Sequence, residues 1–169
     1  MSTLKVNALT NVAGNADIAG VGKILQVVQT IKTNEFSTTN DDVFNDITGI
    51  SLAITPSSTS SKVLATACLV FNTTSNSNVI FKLLRGSTSL GDSTVTTDSP
   101  LALGISGGKY EASRGNPSTF QFLDSPSTTS ATTYKVQEFH NSGTFRLNFL
   151  GGSSQFSGSS TLTLMEVAA

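Results

Sequence analysis

The stretch Val63-Leu-Ala-Thr-Ala-Cys-Leu-Val-Phe71 decides the fold class. Its odd-numbered positions hold Val, Ala, Ala, Leu and Phe, and this apolar period of two is typical of a β-strand. The even-numbered positions are Leu, Thr, Cys and Val, so both faces are largely apolar. A strand of this kind lies in the centre of a sheet and is covered on each side. We therefore expect residues 63–71 to form a central strand, with a neighbouring subunit as one source of that cover.

Short apolar runs separated by clusters of Ser, Thr, Asn, Gly and Pro continue along the rest of the chain. In the first run, Leu25, Val27, Gln29 and Ile31 share one face. Further strands are predicted at 50–54, 79–85, 101–105, 119–123, 133–138, 144–149 and 160–167. No window of 12 or more residues keeps a helical period without Gly, Pro or dense Ser and Thr. The pattern predicts an all-β antiparallel sandwich of the jelly-roll type over residues 23–169.

The composition excludes several classes of function. Charged residues make up 12% of the chain and the formal net charge is −1, with both signs scattered, so there is no basic patch for nucleic acid or a membrane surface. No apolar run approaches the roughly 20 residues of a membrane span. One cysteine and one histidine exclude disulfide frameworks and zinc clusters within one chain. A net charge near zero leaves little electrostatic barrier to self-association.

Residues 1–22 differ in texture from the rest. Leu4, Val6 and Leu9 lie at near-alternate positions and are followed by a run rich in Gly, Asn and Ala that no core could hold. We interpret this segment as an extended attachment arm that docks on another protein. Its first residues lack the apolar stretch of a secretory signal, so we expect synthesis in the cytoplasm.

The residues that could carry catalysis are isolated. Nucleophilic catalysis needs a base beside the nucleophile and a third group that orients it. His140 lies in a turn-like stretch and is interpreted as a solvated loop residue, and Cys68 as a small core residue. Gly20-Val-Gly-Lys23 resembles half of a phosphate loop, but Ile24 follows where Ser or Thr is required. We predict no enzyme activity and no cofactor.

One carboxylate cluster is present. Asp41, Asp42 and Asp46, with Asn40 and Asn45, could supply oxygen ligands to a hard cation such as calcium. The ligand order of an EF-hand is absent. A polar loop between strands is the favoured interpretation, and an ion remains the alternative.

Two further patterns have alternative interpretations. The ten Phe and two Tyr residues could include a platform for stacking sugars, but Phe at alternating strand positions favours a core. Glu166 shares a face with Leu162 and Leu164. Either that face reaches solvent at its end, or Glu166 meets Arg85 or Arg146 in a buried pair.

Five motifs, in order, resemble a domain of structural proteins from tailed phages, notably marine and cyanobacterial ones. The most extensive is Phe122-Leu-Asp-Ser-Pro-Ser-Thr-Thr-Ser-Ala-Thr-Thr-Tyr134-Lys-Val-Gln137, and the others span residues 22–29, 47–62, 84–88 and 161–167. Each motif alone is only a strand and a turn, but their order is specific. The resemblance implies a trimeric jelly roll at a virion surface.

The start of the chain adds to this resemblance, because Ser2-Thr-Leu-Lys-Val-Asn-Ala-Leu9 is similar to the segment by which such proteins attach upstream. Tail fibres usually carry a long shaft after that segment, whereas this chain passes almost directly into the sandwich. A short knob, head fibre or capsid-decorating trimer fits this arrangement as well as a receptor-reading tip.

The sequence thus predicts a non-enzymatic virion surface protein that forms a homotrimer and contacts phage capsid or tail proteins through residues 1–22. The alternative is a tail-fibre tip that recognises host polysaccharide. A cellular trimeric signalling ligand is disfavoured, since neither a signal nor cysteine pairs are present. Candidates for the trimer interface or the core are Leu64, Val70, Phe71, Leu162, Leu164, Met165 and Glu166.

Overall fold

A computed structural model describes residues 22–93, 104–150 and 156–169, apart from the side chains of Leu150 and Phe156. Within these ranges the chain forms thirteen strands and no helix. The strands are β1 (Ile24–Lys32), β2 (Phe36–Thr38), β3 (Asn45–Ile54), β4 (Lys62–Thr73), β5 (Ser77–Arg85), β6 (Thr88–Leu90), β7 (Ser106–Tyr110), β8 (Asn116–Asp124), β9 (Thr132–His140), β10 (Phe145–Leu147), β11 (Phe149–Leu150), β12 (Phe156–Ser157) and β13 (Ser160–Val167). Leu4, Val6 and Leu9 of the expected arm lie outside the described residues.

The long strands form two antiparallel sheets. In the first sheet the order is β1-β13-β4-β8, and β10 with β2 extends it beside the far end of β4. In the second sheet the order is β3-β9-β5, with β6 and β7 on the outer edge of β5. Along the chain, β1 and β2 lie in the first sheet, β3 in the second, β4 in the first and β5 to β7 in the second. The chain then returns to the first sheet at β8, to the second at β9, and to the first for β10 and β13. This is the strand order of a jelly roll, as the sequence predicts.

Most predicted strands coincide with observed ones, and the differences are local. The predicted loop at 72–78 is shorter than expected, because β4 continues to Thr73 and β5 begins at Ser77. The strands β2, β6 and β12 have two or three residues each, too few to show a period. Of the strand predicted at 101–105, residues 101–103 lie outside the described part, and β7 begins just after it.

The core lies between the two sheets and is filled from alternate strand positions. In β4 the five odd-numbered residues from Val63 to Phe71 are all buried. The Phe71 ring lies 5.1 Å from Phe81, 4.9 Å from Tyr110 and 5.6 Å from Phe145, measured between ring centroids. The expectation that the aromatic residues build the core is confirmed for this cluster. Offset and edge-on ring pairs of this kind add to the free energy gained from burial.

A buried amide joins β10 and β11 to the edge of the first sheet. Asn148 has a φ of 62°, which few residues other than Gly and Asn tolerate. Its side chain donates to the carbonyls of Lys32 at 2.8 Å and Asn34 at 3.1 Å and accepts from the Ser160 hydroxyl at 2.7 Å. Asn148 thereby satisfies the carbonyls of the last residue of β1 and of a residue just beyond it.

Candidate functional site

The outer face of the first sheet carries a row of apolar side chains that crosses four strands. Val27 pairs with Met165, Met165 with Leu64, and Leu64 with Leu123. Because paired residues in antiparallel strands point to the same side, these four side chains lie next to one another. Val27 is 53% exposed and Leu123 48% exposed, while the two central residues are half-buried by their neighbours. We call these four residues the apolar row.

The rows that follow along the same face are also uncharged. Next to the apolar row lies a polar row made of Gln29, Thr163, Thr66 and Gln121, in which the Gln29 amide donates to the Thr163 hydroxyl at 2.8 Å. Beyond it lies a mixed row of Ile31, Thr161, Cys68 and Thr119. Among the strand residues that the structure describes on this face, the charged ones are Lys62 and Arg146, which lie at its two ends.

The outer face of the second sheet is different in character. Lys135 forms an ion pair with Asp46 at 2.8 Å, and Lys82 lies over the Phe44 ring at 4.0 Å from its centroid. Lys109 is exposed on β7. The same face also carries Ile80, Leu84 and Phe139, but these three are buried. The second sheet therefore exposes charged side chains where the first sheet exposes uncharged ones.

The orientation of β1 accounts for much of this apolar surface. Leu25, Val27 and Ile31 point outward and are 44%, 53% and 58% exposed, while Gln26 and Lys32 point toward the second sheet. The prediction that these alternate residues share one face is therefore confirmed, and that face is the outer face of the sheet. If β1 paired with β13 one residue out of register, the same side chains would point into the core. The strand keeps its apolar residues outside instead.

The seven candidates for the interface or the core separate by strand alternation. Leu64, Val70 and Met165 are half-buried on the outer face. The other four, Phe71, Leu162, Leu164 and Glu166, are buried inside. Val27 and Leu123 were not among the candidates, although the alternation of β1 was the signal that could have found Val27.

The interpretation of Cys68 as a core residue is wrong. Its side chain is exposed and lies in the mixed row of the outer face. Because both faces of β4 are apolar, the sequence alone did not fix which set of alternate residues points inward. The pairing with β13 and β8 does fix it.

The Glu166 carboxylate is buried and held by uncharged donors. One oxygen accepts from the Ser57 amide at 2.7 Å and the Ser57 hydroxyl at 2.6 Å, and the other accepts from the Gln26 amide at 2.6 Å. Burial raises the pKa of Glu166, but these bonds and one from the Ser61 hydroxyl outweigh it and lower the pKa to about 2.

Neither interpretation offered for Glu166 from the sequence is correct. It does not reach solvent, and neither arginine is its partner. Arg85 instead binds Asp124 at 2.8 Å, and the Tyr134 hydroxyl donates to the same carboxylate at 2.7 Å. The loop after β3 satisfies Glu166 because Ser57 folds back over the end of β13, a contact between residues far apart in sequence.

The interpretation of His140 as a solvated loop residue is also wrong. It ends β9 and is fully buried, with Nδ1 at 3.0 Å from the Glu138 carboxylate. The second Glu138 oxygen accepts from the Asn45 amide at 2.8 Å. Burial opposes the charged imidazole, but the bond to Glu138 and its negative charge prevail and raise the pKa of His140. Nε2 finds no hydrogen-bond partner among the described residues. The pair is closed off from any substrate.

The carboxylates of the predicted ion cluster do not come together. Asp46 faces β9, where it binds Lys135 and Gln137, each at 2.8 Å, and the Lys135 bond lowers its pKa against the effect of burial. Asp42 adopts a turn with a φ of 56°, and its amide donates to the His140 carbonyl. Across the described ranges no three His, Cys, Asp or Glu residues are grouped to hold a metal. Asn40, Asp41 and Asp42 lie in a loop between β2 and β3, as the favoured interpretation has it, whereas Asn45 and Asp46 belong to β3.

One shallow cavity of about 290 Å³ lies on the second sheet beside β7. It is lined by Asn78, Ile80, Ser106 and Lys109 together with three glycines. The Ser106 hydroxyl is hydrogen-bonded to that of Ser118 at 3.2 Å, so the Asn78 amide and the Lys109 ammonium are the side-chain groups that can hydrogen-bond a polar ligand there. In the described part of the chain, no helix is long and apolar enough to cross a membrane.

No protein-family model and no curated protein sequence matches this chain. Solved structures of infectious bursal disease virus do resemble it. The structure of the Gx strain matches with a TM-score of 0.44 and 15% identity over 87% of this chain and 38% of that chain. The T=1 particles derived from this virus match with a TM-score of 0.46 and 14% identity over 85% and 36%. Its VP2 subviral particle matches with a TM-score of 0.42 and 15% identity over 85% and 37%. The chain thus spans little more than a third of the length of the viral chains that it matches.

Proposed function

We propose that this chain is a non-enzymatic structural protein on the surface of a tailed-phage virion. In this proposal it is a homotrimeric fibre, knob or capsid-decorating protein, and residues 1–22 anchor it to the capsid or tail. The order of the five motifs, from residue 22 to residue 167, supports the phage assignment through the resemblance described above.

The observation that carries the proposal is the uncharged outer face of the first sheet. An apolar row that crosses four strands and is flanked by uncharged rows is a surface for contact with protein. The sandwich does not need this face in order to fold, because the core that the structure describes is made by the inner faces of the two sheets. A chain whose function is assembly has a use for such a face.

Incorporation into particles tests this proposal. Phages that encode the chain without residues 1–21 should assemble without it, while the purified shortened chain keeps the β-sheet circular dichroism and the thermal transition of the full chain. Normal incorporation of the shortened chain would show that these residues do not anchor it to the particle. The matched pair changes Leu4, Val6 and Leu9 to Ser, or instead changes Thr3, Asn7 and Thr10 to Ser. Only the first triple should lose incorporation.

Light scattering of the purified full chain tests the trimer separately. A mass of three copies is expected at micromolar concentration. A stable monomer there would contradict a homotrimer but would leave attachment through the arm open.

The cavity beside β7 favours a second candidate function, the recognition of host polysaccharide by a fibre tip. The Asn78 amide and the Lys109 ammonium in its lining offer both donors and acceptors to sugar hydroxyls. A glycan array with the full chain distinguishes the two functions. Specific binding that Asn78→Ala abolishes would favour adsorption, and no binding together with retained particle attachment would favour decoration.

A further inference from the structure

We infer that the outer face of the first sheet is the contact between two copies of this chain, with the apolar row at its centre. The inference rests on the proposed assembly function and deepens it, because it names the surface and the partner. It concerns only the apolar, polar and mixed rows, whose residues all lie in the described part of the chain.

The exposure of the apolar row indicates that another surface covers it. Val27 and Leu123 are about half exposed at the two edges of the sheet, and Leu25 and Ile31 extend the apolar surface along β1. Single exposed apolar residues are ordinary, but a row that runs through four paired strands is a contiguous patch. Water contact with such a patch is unfavourable at about 25 cal/mol per Å².

The absence of charge favours a second copy as the cover. The apolar, polar and mixed rows contain no charged side chain, so a partner chosen by charge would find no complement in them. In a homotrimer whose copies turn this face toward the threefold axis, the same rows of neighbouring copies meet, and an uncharged surface is compatible with itself. The amides of Gln29 and Gln121 and the hydroxyls of Thr66 and Thr163 both donate and accept. The polar row can therefore pair with the same groups of another copy.

The size of the face matches what a stable contact needs. Four strands spaced about 4.8 Å apart give a width of about 19 Å, and nine residues of β4 give a length of about 30 Å. The face therefore covers about 600 Å² per copy, or about 1,200 Å² for two copies, which is the lower end of the range for specific interfaces. The cationic residues Lys62 and Arg146 lie at its rim, where charge is tolerated.

Charged substitutions in the apolar row test the inference. Val27→Glu and Leu64→Glu place a carboxylate where the contact would bury it, so the dissociation constant of the assembly should rise at least 100-fold. Ser51→Glu is the matched control, because Ser51 is exposed on the outer face of the second sheet. Light scattering and sedimentation should show smaller particles for the first two variants only. Unchanged assembly of Val27→Glu and Leu64→Glu, with their thermal transitions intact, would overturn the inference.

Cys68 gives a second test that needs no substitution in the face. It is the only cysteine of the chain, and it lies in the mixed row, about 13 Å along β4 from Leu64. In the full chain its rate of modification by a thiol reagent should be at least tenfold lower at concentrations where the protein is assembled than at concentrations where it is monomeric.

The other outcomes of the Cys68 measurement are distinguishable. Protection that does not change on dilution would mean that residues 1–21 of the same chain cover the face, and would overturn the contact between copies. Rapid modification in an assembled sample would show that the copies meet elsewhere. In both cases the proposed role on the virion is tested separately, by incorporation of the chain into particles.

Discussion

Replacing Glu166 by Gln should destabilise the sandwich by about 3 kcal/mol at pH 7 and by almost nothing at pH 2. The buried carboxylate accepts hydrogen bonds from the Ser57 amide, the Ser57 hydroxyl, the Gln26 amide and the Ser61 hydroxyl. Gln keeps the size of the side chain but removes the charge. Its NH2 group is a hydrogen-bond donor and would face other donors instead of accepting from them. The variant therefore imitates the protonated acid.

The magnitude follows from the pKa. Folding lowers the pKa of Glu166 from 4.5 to about 2, and each pKa unit is worth about 1.4 kcal/mol, which gives about 3 kcal/mol. Because the folded pKa lies below the unfolded one, this stabilisation is fully present above pH 4.5. It is lost as the pH falls toward 2. The wild type should therefore lose stability in that window, and Glu166→Gln should lose about 3 kcal/mol less.

Urea unfolding at equal protein concentration, at intervals between pH 7 and pH 2, measures the difference. Glu111→Gln is the control, because Glu111 is exposed and pairs only with Arg114 on the surface. Its pH profile should follow that of the wild type. The reasoning fails if Glu166→Gln and the wild type show parallel profiles, since the carboxylate would then titrate alike in the folded and unfolded chains.

Two further predictions concern the other buried polar groups. The proton resonance of the single histidine should titrate with a midpoint above 6.5 in the folded protein, and Glu138→Gln should lower that midpoint. Because the folded pKa of His140 is raised, its contribution to stability is present below pH 6.5 and is lost as the pH rises through the folded value. A midpoint unaffected by Glu138→Gln would contradict this. Asn148→Ala should cost about 2–3 kcal/mol in urea unfolding, because it leaves buried carbonyls without donors at a positive φ. Asn116→Ala should change stability by less than about 0.5 kcal/mol, and equal effects of the two would refute the role of Asn148.

Local pattern was enough to predict the fold class and most of the long strands. The stretch 63–71 carries a period of two with apolar residues on both faces, and in the structure it is the central strand of its sheet. Turn residues bounded most of its neighbours correctly. These features depend on a few adjacent residues, so the sequence contains them directly.

Local pattern could not predict which face of a strand points inward. The face of β1 that carries Leu25, Val27 and Ile31 has the apolar pattern of a face that packs on the core, but in the structure it is the outer face. The same ambiguity placed Cys68 inside. Pairing register between strands distant in sequence decides these cases, and the partners of Glu166 and His140 depend on equally distant contacts. The surface that we interpret as functional was thus only partly predictable.

The inward polar residues of β1 explain how this strand can leave its apolar residues outside. Gln26 donates to Glu166, the Lys32 ammonium donates to Asn34 at 2.9 Å, and the Lys32 carbonyl accepts from Asn148. The Gln26 bond and the Asn148 bond therefore tie the two ends of β1 to the rest of the sandwich. Val27 is free to face outward because β1 is fixed in this way. If the outer face is the contact between copies, as proposed, Glu166→Gln should raise the dissociation constant of the assembly as well as destabilise the fold, which sedimentation would measure. Glu166 would act only through β1, because the substitution loosens the Gln26 end of that strand and Glu166 itself lies inside the sandwich.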